Sequence, residues 1–242
     1  MGALTRFFEL RTGTTKLTLE QQKKAWLGEF LKTYAVLIVV YGGFYLLRTN
    51  FKAAQPLLKE QAGLSTAELG TIGFAFSLTY GFGGLILGFL CDGRNTKRIL
   101  GFLLVSAGVV SVLVGGVLLS VNHPMGIMVL LWSLNGLAQA PGGPCCNSTM
   151  NRWTPRKYRG RFIGWWNASH NIGAMIAGAL ALWGANTFFG GGVAGMFIVP
   201  ALICIPIGLW GMWFGKDEPG ELGWDKPEAI FGEPESKVDT VT

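Results

Sequence analysis

The chain has 242 residues, of which 50% are apolar and only 14% charged, with a mean hydropathy of +0.40 and a formal net charge of +6. A soluble domain carries about 25% charged residues, so this composition argues against an ordinary water-soluble fold. Lys and Arg fall in short segments between apolar runs instead of on one polar face, which also argues against nucleic acid as a partner.

Residues 1–32 are polar and amphipathic, without the apolar core and small-residue cleavage site of a signal peptide. Insertion then falls to the first apolar helix. Crossing a bilayer takes about 20 apolar residues, and six stretches qualify, near 33–54, 69–91, 98–121, 125–150, 160–186 and 191–214. The expected fold is an all-α integral membrane protein, a bundle of six transmembrane helices over residues 33–215. Between Thr33 and Gly215 the only acidic residues are Glu60, Glu68 and Asp92, so the middle of the chain is cleared of negative charge for lipid. Basic residues number six in 1–32, three in 92–98 and five in 152–161, whereas the opposite loops hold only Lys52 and Lys59. The positive-inside rule places the first set, and with it the N-terminal segment, in the cytoplasm. Residues 216–242 return to that side and read as an acidic, Pro- and Gly-containing linker, expected to lead to a second six-helix half that this chain lacks.

Polar residues inside the apolar runs are the candidates for function, because each is costly in lipid unless it meets a partner or a cavity. Arg48 follows Tyr41 and Tyr45 by seven and three residues, so the three share a helix face suited to an oxyanion. Snorkelling to the headgroups is the alternative for Arg48, but the two tyrosines point back into the bilayer and favour a cavity. In the fifth run, Asn167, His170 and Asn171 form one polar face beside Trp166; His170 is either a hydrogen-bonded packing residue or part of a site. The fourth run carries Asn135 and Gln139, followed by Pro141-Gly142-Gly143-Pro144, where a kink is expected. Gln139 either touches a substrate or bonds to a neighbouring helix.

The loop from Gly88 to Arg98 sets Asp92 among Arg94, Lys97 and Arg98. It suits an ion-pair latch of Asp92, Arg94 and Arg98 between helix ends, or else a solvated turn. Cys91, Cys145, Cys146 and Cys204 have no metal or disulfide spacing and read as packing residues. The sequence carries no nucleotide-binding loop, metal-ligand cluster or paired nucleophile and base, so neither an enzyme nor a cofactor is expected.

That same loop, with Gly88, Asp92, Arg94 and Arg98, resembles the signature of major facilitator transporters. Tyr45-Leu46-Leu47-Arg48-Thr49-Asn50-Phe51, Trp153-Thr154-Pro155-Arg156, Arg159-Gly160 and Trp166-Asn167-Ala168-Ser169-His170-Asn171 resemble the organophosphate:phosphate antiporter family, and Gly184-Ala185-Asn186 with Gly195-Met196-Phe197-Ile198 resemble its bacterial hexose-phosphate members. The resemblance implies exchange of a sugar phosphate for inorganic phosphate across the bacterial inner membrane by alternating access, without a cofactor. It gives Arg48 the place of the family's phosphate-binding arginine, His170 that of its fifth-helix histidine, and Tyr41 and Tyr45 cavity-lining places. Two positions depart from it: Thr49 and Gly84 stand where the family often has lysine. The family also includes a membrane sensor of external glucose 6-phosphate that signals to a histidine kinase, and an inactive half-transporter is a third reading.

Overall fold

The computed structural model describes residues 6–15, 17–88, 91 and 93–234. Among the described residues, seven helices form the bundle: α1 Leu19–Ala62, α2 Thr66–Gly88, α3 Thr96–Ser120, α4 Met125–Gln139, α5 Gly142–Trp153, α6 Arg156–Phe189 and α7 Gly195–Trp213. A short 3-10 turn, Pro219–Leu222, and α8, Pro227–Phe231, follow. Helices α1, α2, α3, α6 and α7 are each long and apolar enough to cross a membrane, while α4 and α5 divide the remaining apolar stretch between them.

The division between α4 and α5 has a local cause. Ala140 and Pro141 keep near-helical dihedrals, at φ −55°, ψ −44° and φ −77°, ψ −3°. Pro141 has no N–H to donate and its ring crowds the carbonyl four residues back, so the ladder stops at Ala140, whose N–H is shared between Gly136 O and Leu137 O. It restarts where Cys145 N donates to Pro141 O at 2.9 Å. The kink expected near Pro141 is therefore a full interruption.

Helix α1 starts fourteen residues earlier than the apolar run suggests, and its 44 residues span about 66 Å, well beyond a bilayer core of about 30 Å. Its polar first half is held by tertiary packing. Trp26 stacks on Phe30 at 5.0 Å, both rings meet Phe162 of α6, and Trp26 Nε1 donates to Trp153 O at 2.9 Å. At the other end Gly63 takes the left-handed φ of +66° that ends the helix.

Successive spans alternate direction, with α4 and α5 running the same way as the two parts of one span. The start of α1, the start of α3, the end of α5 and the segment after α7 gather at one end, here the tail end. Gln61, Gly191 and Val193 meet at the far end, with Gln61 Nε2 donating to Gly191 O at 3.0 Å and Val193 N to Gln61 Oε1 at 2.8 Å. Helices α3 and α7 touch backbone to backbone: a Cβ on Gly208 would stand 2.7 Å from Gly101 O, and one on Gly101 2.6 Å from Gly208 O. Such close approach by small residues is how helices pack where lipid removes the hydrophobic drive. Large apolar side chains are exposed on the outside, Leu85 at 72% and Met175 at 76% among them. Water would not tolerate this surface, and lipid would.

Although residues after Gly215 lack apolar periodicity, the structure docks Lys216–Pro234 against the tail end. Trp224 packs on Trp153 and Phe231 on Trp26, while Gln22 and Asp225 exchange hydrogen bonds at 3.0 Å.

Candidate functional site

Arg48 sits half-buried about two thirds of the way along α1. Its guanidinium lies over the rings of Tyr80 and Phe76 from α2, at 4.3 Å and 5.8 Å, and of Tyr45 from its own helix, at 4.8 Å. Each such contact is worth roughly 0.5–2 kcal/mol, depending on desolvation, so the rings offset part of the cost of holding a cation at this depth. One hydrogen bond fixes the orientation: Arg48 Nε donates to Gln139 Oε1 at 3.1 Å. Gln139 Nε2 in turn donates to Asn135 Oδ1, and Asn135 Nδ2 to Ala107 O of α3 at 3.1 Å. Both amides are buried, so this chain of donors and acceptors is shielded from water and rigid. No carboxylate among the described residues pairs with Arg48, and its terminal nitrogens make no hydrogen bond there.

Tyr45 links this cluster to α6. Its ring stacks on that of His170 at 4.8 Å, Tyr41 lies 5.9 Å from His170 edge-on, and Tyr41 packs on Trp166 at 4.7 Å. His170 Nδ1 is buried without a hydrogen-bond partner among the described residues. The structure thus brings Arg48, Tyr41, Tyr45, His170 and Gln139 into one contiguous group. Asn167 and Asn171, beside His170 on α6, are exposed, and Asn171 Nδ2 donates to Asn167 O at 3.1 Å. At the two positions without lysine, Thr49 Oγ1 donates to Tyr45 O, and a Cβ on Gly84 would meet only Ala140 O, at 3.7 Å.

Between α1, α2 and α4 a cleft of about 290 Å³ opens beside Arg48, with Lys52, Ser77, Tyr80 and Trp132 in its wall. A second cleft, of about 340 Å³ at the tail end, mixes Arg152 and Lys226 with Glu218, Asp225 and Glu228 and so favours neither sign of charge. Tyr80 and Phe76 carry no sequence signal beyond a spacing of four, which does not reveal the helix they face.

At the tail end, Asp92 of the expected latch lies outside the described residues. Arg94 is exposed and offers its carbonyl to Arg152 Nη1 at 2.9 Å, while Arg98 Nη1 donates to Phe7 O at 2.9 Å. The buried ion pair here is Arg152 with Asp217. Asp217, fully buried, also accepts from Lys97 N at 2.8 Å, Thr149 Oγ1 at 2.8 Å and Thr96 Oγ1 at 3.0 Å. One carboxylate therefore ties α3, α5 and the segment after α7 together. In the sequence it is one acid of an acidic tail, with nothing to distinguish it. The four cysteines are buried, and Cys91 Sγ lies 2.9 Å from Cys145 Sγ.

Residues 37–235 match the pattern of the Major Facilitator Superfamily. The chain belongs to that superfamily. Major facilitator proteins are carriers rather than enzymes, and this chain has the fold of one half of such a carrier. It is 39% identical over 234 residues, 97% of its length, to the hexose-6-phosphate:phosphate antiporter of Escherichia coli, of which it covers 50%. It is 29% identical over 211 residues, 87% of its length, to the Escherichia coli membrane sensor protein UhpC, of which it covers 45%. The chain thus spans about half the length of the curated relatives it matches. A solved bacterial homologue of the human lysosomal transporter Spinster, inward-facing and unoccupied, superposes with a TM-score of 0.67 at 19% identity, covering 86% of this chain and 46% of that one.

Proposed function

We propose that this chain forms the N-terminal half of a carrier that exchanges a hexose phosphate for inorganic phosphate across the bacterial inner membrane, with its N-terminal segment and tail in the cytoplasm. The observation that carries the reading is Arg48: a half-buried guanidinium fixed through Nε, cradled by rings, facing a cleft, and without a carboxylate partner among the described residues. A phosphate monoester carries about −1.5 to −2 charges near neutral pH, and a guanidinium can bind two of its oxygens in a fork. His170, Tyr41 and Tyr45 extend the site toward α6, and Gln139 orients the arginine. Asn167 and Asn171, on the exposed face of α6, are assigned to the surface that the second half would close over. The 39% identity to a hexose-6-phosphate:phosphate antiporter supports the substrate class.

The test is uptake of glucose 6-phosphate into phosphate-loaded proteoliposomes by this chain fused to the C-terminal half of the Escherichia coli antiporter. Exchange should occur and fall by roughly 100-fold in Arg48→Ala, the scale of a lost charge-assisted fork. Binding of glucose 6-phosphate without exchange would instead favour a sensor, the reading that the likeness to UhpC supports. Exchange undiminished in Arg48→Ala would remove the site.

A further inference from the structure

The outer face of α6 marks the level of the bilayer. Trp165 and Trp183 are 66% and 52% exposed, and Ile172 and Ile176 between them are exposed as well. Spacings of seven, four and seven residues put all four on one stripe. The two indoles stand 18 residues apart, a rise of about 27 Å, close to the roughly 30 Å of a hydrocarbon core. Tryptophan gathers at both borders of that core, so the stripe spans it and Trp165 marks the border on the tail-end side. This stripe is separate from the surface assigned above to the second half. At about 100° per residue, Trp165 points roughly 160° away from Asn167 and roughly 120° away from Asn171.

Arg161 stands one helical turn outside Trp165, about 6 Å further from the core, and Lys157 one turn beyond that, so both cations lie at headgroup depth on the same side of the helix. Both are exposed, and neither forms an ion pair among the described residues. The nearby acids are engaged elsewhere. Glu228 faces Arg159 at 3.6 Å and Arg156 at 4.0 Å, while Glu233 accepts from the backbone N–H groups of Arg156 and Lys157 at 2.9 and 3.1 Å. We infer that Arg161 and Lys157 bind the phosphodiester headgroup of an anionic phospholipid in the tail-end leaflet, with its acyl chains lying along Trp165 and Ile172. A guanidinium meets two phosphate oxygens in a fork, and the apolar stripe just inside adds chain contacts that a free phosphate cannot use. A zwitterionic phospholipid offers the same chains, but its ammonium cancels the phosphate charge. Headgroup charge is therefore what the site selects.

The experiment reconstitutes the chain in phosphatidylcholine vesicles carrying phosphatidylglycerol, with the chains of one lipid or the other brominated, and follows quenching of tryptophan fluorescence at low salt. Bromine quenches only the indoles it reaches, so the two labels give the relative affinity of the two lipids. The parent should prefer phosphatidylglycerol by roughly tenfold or more, since each cation near the surface contributes about fivefold. Arg161→Gln should cut that preference roughly fivefold, and Arg161→Gln combined with Lys157→Gln should abolish it. Trp165→Phe should remove most of the quenching that distinguishes the lipids. Lys24→Gln, which changes an exposed cation on α1, should leave the preference unchanged. A parent without preference would overturn the inference, and so would an equal loss in Lys24→Gln and Arg161→Gln, the mark of diffuse attraction between a basic surface and an anionic membrane. Added inorganic phosphate should not displace the lipid; displacement at concentrations matching the lipid would make this a soluble-anion site and reject the lipid as its occupant.

Discussion

Replacing Asp217 tests the tail-end cluster most directly. Asp217→Ala removes the acceptor for Lys97 N, Thr96 and Thr149 and leaves Arg152, whose side chain is only 20% exposed, with the Arg94 carbonyl and the more distant Glu218 carboxylate at 4.0 Å. Breaking a buried ion pair by deleting one partner costs about 3–5 kcal/mol, because the remaining charge stays buried; the three neutral donors lose their partner as well, though such terms do not add. For a chain of this size about 1 kcal/mol moves the thermal midpoint by roughly 2–4 °C, so the expected drop is on the order of 6–20 °C. The assay is unfolding of the detergent-solubilised chain followed by tryptophan fluorescence, with Trp153 beside the cluster. Arg152→Ala and the double variant complete a cycle in which the two changes should be strongly non-additive, by at least about 1 kcal/mol. A drop below about 2 °C for Asp217→Ala, or additive effects in the cycle, would refute this account of what holds the helix ends.

Gly208→Ala should destabilise by about 1–3 kcal/mol, since its Cβ would stand 2.7 Å from Gly101 O and 2.8 Å from Val105 Cγ2; the same thermal assay reads it, and an unchanged midpoint would contradict the α3–α7 contact. Glu218 supplies a pH dependence. Burial, with help from Asp217 and Glu221, raises its pKa against the opposing pull of Arg152. The folded chain then holds this proton more tightly than the unfolded one, so stability falls as pH rises from the ordinary 4.5 through the raised value. Glu218→Gln should therefore match the parent below pH 4.5 and melt slightly higher than it at pH 7, with the size limited by partial exposure; a lower midpoint at pH 7 would reverse the sign and reject the cause.

The apolar runs were legible because lipid excludes charge, so acidic residues vanish between Thr33 and Gly215 apart from Glu60, Glu68 and Asp92. Pro141 was legible because it is followed by Gly142, Gly143 and Pro144, a cluster that loosens a helix, whereas the isolated Pro56, Pro200 and Pro206 lie inside unbroken helices. Arg48, Tyr41 and Tyr45 stood out for the same reason in reverse, as polar groups where polar groups are costly. Illegible features depend on which face meets which neighbour. Tyr80 becomes part of the arginine's cradle only once α2 is rotated against α1, and the helical run from Leu19 to Thr33 exists because α6, α8 and Trp153 cover its aromatics. Asp217 differs from its acidic neighbours only through the Thr96, Thr149 and Arg152 that surround it.

The interruption at Pro141 gives α5 a mechanical character. Its twelve residues make a rigid rod about 18 Å long. One end carries Thr149 and Arg152, gripped by Asp217; the other abuts Gln139, the residue that aims Arg48. The carboxylate that grips the tail end and the amide that aims the guanidinium therefore stand at opposite ends of one short helix.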